Sequence, residues 1–79
     1  MANQSKTIWL LSSNLPKLRC HVRTDQPLAA LLRQKYAKAF GVATETVILA
    51  FDGQKIQEED TFDSLAMEDN DIIDVVEEC

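Results

Sequence analysis

Apolar and polar residues alternate between residues 17 and 23, the pattern of a strand with one buried face. One face is apolar, with Leu18, Cys20 and Val22, and the other is basic, with Lys17, Arg19, His21 and Arg23. Residues 7–12 (TIWLLS) are rich in β-forming side chains and predict an earlier strand. The turn signal SNLP at residues 13–16 lies between the two segments, so they are expected to form a hairpin.

A helical period follows the hairpin. Thr24 or Asp25 is a candidate N-cap, and Pro27 suits a first helical turn, where its missing N–H has no intrahelical partner. Apolar residues then recur at helical spacing and predict one buried stripe: Leu28, Leu31, Leu32, Tyr36, Ala39 and Phe40. Gly41 fits the left-handed position that ends many helices.

The second half predicts three more strands. Residues 46–51 form one, the turn at Asp52-Gly53 leads to a short strand ending near Ile56, and residues 71–76 close the sheet. A helical turn is expected over residues 61–65. The order predicts an α+β protein with the β-grasp topology, ββαββ plus a short helical turn and a closing strand. We expect a flexible segment over residues 1–6 and one domain over residues 7–79.

Charge divides the chain into two halves. The net charge is −5, made up of +6 over residues 1–40 and −11 over residues 41–79. An acidic surface repels phosphate backbones and attracts basic proteins, so direct nucleic-acid binding is not expected. We also expect no membrane association, because no long apolar run or signal-peptide core is present. Two scattered cysteines favour reduced thiols inside the cell.

The second half also resembles SUMO. The resemblance is dense from Tyr36 to Val76 and is carried best by residues 51–56 (FDGQKI) and 67–75 (MEDNDIIDV). It is looser but alignable from Thr7, and it is nearer to SUMO than to ubiquitin, whose corresponding loop lacks the acidic run. The resemblance implies the ubiquitin-like fold and a protein-binding role without enzymatic activity.

Three features depart from the SUMO pattern. Phe62 stands where SUMO has proline, the helix carries one more residue than usual, and the sequence stops at Cys79 without a di-glycine. If Cys79 is the natural end, the chain cannot be conjugated. If the sequence is cut short, it could be a conjugatable SUMO.

The missing di-glycine resembles the C-terminal SUMO-like domains of the RENi-family genome-maintenance proteins. That resemblance implies a nuclear location within a larger DNA-repair protein. Its implied partners are the SUMO-conjugating enzyme, bound non-covalently, and SUMO-pathway ligases. We expect the domain to be a monomer.

The sequence and the resemblance indicate three candidate docking surfaces, of which two lie on the sheet. The first is acidic and consists of Asp52, Glu68, Asp69 and Asp71, which the resemblance brings to one side of the sheet to meet a basic patch of the conjugating enzyme. The alternative is that these acids only keep the domain soluble. The second is the apolar outer face of the sheet, where the resemblance to SUMO implies that Trp9, Leu11, Ile48, Ala50 and Val76 point outward. The alternative there is that a loop or the N-terminal segment covers Trp9.

A third candidate is the groove that accepts SUMO-interaction peptides in SUMO, for which the resemblance indicates His21, Val22 and Arg23. We expect weak peptide binding, because Cys20 is small and Ala29-Ala30 replace basic residues. Neighbours in a strand face opposite ways, so Cys20 and His21 are not expected to form a catalytic pair. No metal-ligand spacing or phosphate loop is present, and no cofactor or metal is expected.

Overall fold

The first two strands form a hairpin that places the N-terminal half of the chain at one edge of a five-stranded sheet. In the computed structural model, which describes residues 5–77, β1 (Ser5–Leu11) pairs antiparallel with β2 (Leu18–Arg23). A helix, α1 (Ala29–Phe40), and a short 3-10 helix (Thr44–Thr46) lead to β3 (Val47–Phe51), β4 (Gln54–Lys55) and β5 (Asp71–Glu77). The predicted α+β class and β-grasp topology are confirmed.

Strand β5 lies at the centre of this sheet. The strand order is β2-β1-β5-β3-β4, with β5 parallel to β1 and antiparallel to β3. The parallel β1–β5 pair joins the two ends of the chain, so the fold is closed by contacts of long sequence separation. β1 begins at Ser5, two residues before the predicted strand, and residues 1–4 of the predicted flexible segment lie outside the described residues.

The core lies between one face of the sheet and α1. Alternate residues of β1, β3 and β5 point into it, and six of them are buried: Ile8, Leu10, Val47, Leu49, Ile73 and Val75. Cys20 and Val22 of β2 are also buried, while Phe51 is half-buried against the core. The opposite face of the sheet therefore faces outward.

The start of α1 differs from the prediction. The N-cap position is Leu28, which provides no side-chain cap, and Thr24 and Asp25 lie before the helix. The Leu28 N–H donates instead to the carbonyl of Asp60, at 3.0 Å, and Pro27 forms an isolated bridge with Thr61. A segment more than 30 positions away thus satisfies one N–H at the start of the helix, which a local capping pattern could not reveal.

The buried stripe of α1 is also rotated from the predicted one. Leu31 is 38% exposed and Ala39 is exposed, whereas Ala29 and Ala37 are buried beside Leu32 and Tyr36. Apolar spacing allows either set, and the packing of the helix on the sheet selects the stripe that includes the small alanines. The C-terminus follows the prediction, since Gly41 adopts φ 70° and its N–H bonds to the Ala37 carbonyl at 2.8 Å.

The segment between β4 and β5 contains a turn with a helical hydrogen bond over residues 61–65. The Leu65 N–H bonds to the Thr61 carbonyl at 3.0 Å, and the side chains of Thr61 and Ser64 each accept the other's backbone N–H. Phe62, which departs from the SUMO pattern, is 4% exposed and packs in the core. The Phe62 side chain therefore contributes to the hydrophobic core, in addition to its place in the turn.

Candidate functional site

The acidic residues singled out in the sequence lie at one end of the sheet. β3 ends at Phe51 and β5 begins at Asp71, and the two strands are antiparallel. The turn at Asp52 and the loop over residues 68–70 therefore leave the sheet at the same end. The register that pairs Ala50 with Asp74, continued by two residues, sets Asp52 level with Ile72.

The turn at Asp52 presents its carboxylate to the outside. Asp52 and Gly53 both have positive φ, 56° and 81°, as a two-residue turn between antiparallel strands requires. An Asp tolerates this backbone better than most residues, and Gly53 tolerates it without cost. The hairpin geometry thus explains both residue types, and the Asp52 side chain stays exposed.

The loop over residues 68–71 is tied to β1 and to itself. The Thr7 N–H donates to Asp69 Oδ1 at 2.7 Å, and the Asn70 N–H donates to the Thr7 carbonyl at 2.6 Å. Within the loop, the Glu68 N–H donates to Asp71 Oδ2 at 2.7 Å. One oxygen each of Asp69 and Asp71 is therefore engaged in holding the backbone, and the loop presents its charge in a defined conformation.

Asp52 and Glu68 have a different role from the other two acids. Within residues 5–77, neither side chain makes a hydrogen bond or an ion pair, and both residues are exposed. Among those residues, no group of three or more Asp, Glu, His or Cys side chains is arranged to hold a metal ion. The arrangement offers net negative charge to a partner. We call Asp52, Glu68, Asp69 and Asp71 the acidic surface.

The outer face of the sheet carries apolar side chains, some of them next to this surface. Leu11 and Val76 are exposed, by 37% and 53%, while Trp9, Ile48 and Ala50 are partly buried. Ile72 is 45% exposed and belongs to the same face, although the sequence reasoning omitted it. The alternation in β5 could have identified it, because Ile73 points inward and its neighbour must point outward.

Trp9 lies near the middle of the outer face. It pairs with Arg19 of β2 on one side and with Ile72 of β5 on the other. The Lys17 Nζ lies 5.0 Å from the centre of the indole, and the indole N–H donates to Asn70 Oδ1 at 3.4 Å. These contacts order the ring and leave it partly exposed among the described residues.

A shallow groove of about 280 Å³ lies between β2 and α1, but its lining differs from the prediction. The lining residues are Leu18, Arg19, Cys20, Lys35, Lys38 and Ala39. None of the predicted His21, Val22 and Arg23 is among them; Val22 is buried, and His21 and Arg23 are exposed. The basic groups come from the last two turns of α1, so peptide binding at this groove stays a prediction.

Cys20 and His21 lie on opposite faces of β2. Cys20 is 1% exposed, and burial raises the pKa of its thiol, an effect that nearby Lys35 partly offsets. His21 is exposed, with Nδ1 3.4 Å from the Thr7 hydroxyl. A neutral buried thiol and a surface imidazole cannot act together as nucleophile and base.

Within the described part of the chain, no helix has the length and apolar character to cross a membrane.

A solved structure of ubiquitin from Caldiarchaeum subterraneum superposes with a TM-score of 0.86, covering 96% of both chains at 18% identity. This likeness shows the fold.

SUMO-related proteins are similar in both sequence and structure. A solved structure described as "Molecular Mimicry of SUMO promotes DNA repair" superposes with a TM-score of 0.77 at 26% identity, covering 96% of this chain and 95% of that one. A small ubiquitin-related modifier of Caenorhabditis elegans is 43% identical over 49 residues. The matched stretch is 62% of this chain and 54% of that modifier, so the chain spans about half the length of this curated relative.

The match that covers most of the domain is to a family of SUMO-like domains. Residues 7–76 match the family described as ubiquitin-2 like Rad60 SUMO-like, a range that runs from within β1 to within β5. Together with the β-grasp sheet and the two SUMO-type segments that contain the acidic surface, this match decides the family. The chain belongs to the Rad60 SUMO-like family of the ubiquitin-like superfamily.

Proposed function

We propose that this SUMO-like domain is a non-catalytic interaction module that binds the SUMO-conjugating enzyme non-covalently through its acidic surface. We further propose that it works within a larger nuclear genome-maintenance protein, where it also brings SUMO-pathway ligases together with that enzyme. The observation that carries the proposal is the position of Asp52 and the loop over residues 68–71 at the same end of the sheet.

The chemistry of the surface supports a basic partner. Four carboxylates come from two segments that are distant in sequence, and two of them, on Asp52 and Glu68, make no bond within residues 5–77. Exposed charges of this kind speed association and set the orientation of a partner more than they add affinity. The ordered loop keeps these charges in place before binding, which lowers the entropy lost on association.

The test is to measure binding of the domain to purified SUMO-conjugating enzyme. Calorimetric titration gives the affinity, and stopped-flow kinetics gives the association rate. The double variant Asp52→Asn/Glu68→Gln removes two charges without removing a bond to described residues, and Asn tolerates the left-handed backbone at position 52. We expect the affinity to fall by roughly three- to tenfold, mainly through slower association that loses its salt dependence.

A matched control is Glu45→Gln, compared with the single variant Asp52→Asn. Both remove one negative charge, but Glu45 lies in the 3-10 helix before β3, at the opposite end of the sheet. We expect Glu45→Gln to bind as the wild type does. If the wild type, Asp52→Asn and the double variant bound with equal affinity, the acidic surface would not be part of the binding site. If the wild type did not bind the enzyme, the proposed function would be refuted.

A second candidate function is a SUMO modifier that is conjugated to other proteins. The observation favouring it is the 43% identity to the C. elegans modifier over 49 residues. Conjugation needs a flexible di-glycine tail, so the sequence that follows Cys79 in the transcript decides between the two. If it encodes Gly-Gly, the full-length product should form an ATP-dependent thioester with the SUMO-activating enzyme, visible as a reductant-sensitive band on a gel.

A further inference from the structure

One row of side chains crosses the sheet and connects the acidic surface with the apolar outer face, which were predicted as two separate docking surfaces. The row runs from Arg19 on β2 through Trp9 on β1 to Ile72 on β5, as the strand pairings show. The antiparallel register with β3, continued two residues beyond its last pair of Ala50 with Asp74, brings the turn at Asp52 beside Ile72, at the far end of the row. The row is therefore basic at one end, apolar in the middle and acidic at the other end.

Trp9, in the middle of the row, is hydrogen-bonded to the loop over residues 68–71. The Trp9 indole N–H donates to Asn70 Oδ1 at 3.4 Å, and Asn70 lies between Asp69 and Asp71. The backbone of Asn70 bonds to Thr7, two residues before Trp9, at 2.6 Å. The indole, the loop and β1 thus form one connected unit, so a partner that docks on the acids meets the ring as well.

The exposed area in the middle of the row is apolar and has ordered neighbours. Ile72 is 45% exposed, and the Trp9 ring is held by Lys17 on one side and Asn70 on another. A rigid aromatic side chain beside an aliphatic one is the composition of an interface hot spot, whereas charges at the edge contribute orientation.

We propose that Trp9 and Ile72 are the apolar anchor of the docking surface, and that the partner presents an exposed apolar side chain flanked by a basic patch. This inference rests on the proposed function and extends it across the sheet. The basic patch meets the acidic surface, while Arg19 and Lys17 at the other end of the row repel a second basic group. The charge gradient across Trp9 allows a basic partner to dock in one orientation.

The proposal is tested with the same SUMO-conjugating enzyme and the variants Trp9→Thr and Ile72→Thr. Threonine keeps a β-forming residue in each outward position, so the sheet is preserved while the apolar surface is removed. We expect each variant to weaken binding about tenfold, mainly through faster dissociation. Trp9→Phe should retain part of the affinity, since it keeps an apolar ring but lacks the N–H that bonds to Asn70.

Leu31→Ala is the matched control, because Leu31 is a comparably exposed aliphatic residue, 38%, on the helix that covers the other face of the sheet. It should bind within about twofold of the wild type. Amide NMR spectra of each variant establish that the fold is intact; if Trp9→Thr unfolds, Ile72→Thr carries the test. Wild-type affinity in Ile72→Thr and Trp9→Thr, with weaker binding by Asp52→Asn/Glu68→Gln, would overturn the anchor and leave the proposed function standing. Absence of binding by the wild type would overturn both.

Discussion

The Thr7 N–H donates to Asp69 Oδ1 at 2.7 Å, across 62 positions of sequence. The same Thr7 accepts the Asn70 N–H through its carbonyl at 2.6 Å. This reciprocal pair of bonds joins β1 to the loop that precedes β5. One carboxylate of the acidic surface therefore also holds the fold together, so its structural and docking roles can be separated by the choice of substitution.

Two substitutions at Asp69 should separate these roles. Asp69→Asn keeps an oxygen that can accept from Thr7 and removes the charge, so the free energy of unfolding should change by less than about 1 kcal/mol. Asp69→Ala leaves the Thr7 N–H without its acceptor and should cost about 1–3 kcal/mol. Urea unfolding followed by Trp9 fluorescence measures both.

The two Asp69 variants should differ in stability but not in their effect on binding of the conjugating enzyme. We expect both Asp69 variants to bind more weakly, because both lack the charge. Glu45→Gln serves again as the charge control at the opposite end of the sheet. If Asp69→Asn bound as tightly as the wild type, Asp69 would have only a structural role.

The rotated stripe of α1 predicts contrasting costs for two adjacent leucines. Leu32 is fully buried, whereas Leu31 is 38% exposed. Leu32→Ala should lower the free energy of unfolding by about 2–5 kcal/mol, because it opens a cavity between the helix and the sheet. Leu31→Ala should cost less than about 1 kcal/mol. Chemical denaturation of both variants makes the comparison, and equal costs would contradict the observed orientation of the helix.

The ion pair between α1 and the segment after β4 predicts a pH effect. Arg33 Nη2 lies 2.8 Å from both carboxylate oxygens of Glu58, and this hydrogen bond lowers the pKa of Glu58. A lowered pKa means that the folded state favours the ionised form. The resulting stabilisation is present at neutral pH and is lost as the pH falls through the folded-state pKa.

An NMR titration of the Glu58 carboxyl should show this directly. In Arg33→Gln the titration midpoint should rise toward the ordinary value for glutamate. Lys38→Gln removes a positive charge elsewhere on α1 and should leave the midpoint where it is in the wild type. A midpoint unchanged in Arg33→Gln would show that the pair does not persist in solution, as is common for exposed ion pairs.

The elements were predictable where a local rule decides them. Alternation identified β2 and its buried face, and the SUMO resemblance implied which residues of β1, β3 and β5 face outward. The turn chemistry of Asp52-Gly53 and Gly41 is dictated by positive φ. The helix start was predicted wrongly, because its first N–H is satisfied by Asp60 rather than by Thr24 or Asp25. No local pattern contains that partner.

The candidate site was predictable only in part. Its acids stood out as a charge run, but their shared end of the sheet depends on the antiparallel pairing of β3 with β5. Peptide binding by the predicted groove residues His21, Val22 and Arg23 stays a prediction, although other side chains line the groove between β2 and α1. A single strand shows which side chains alternate, but the helix that covers one face decides which of them line a groove, and here its Lys35 and Lys38 do so.

The sequence by itself determined the order of the strands and the helix along the chain, the buried face of β2 and the separation of basic from acidic halves, because each depends on neighbouring residues alone. The tertiary structure decided the helix cap, the buried stripe of α1 and the row from Arg19 through Trp9 and Ile72 toward Asp52. Those features depend on which distant backbone groups pair, and pairing is settled by the fit of the whole sheet against the helix.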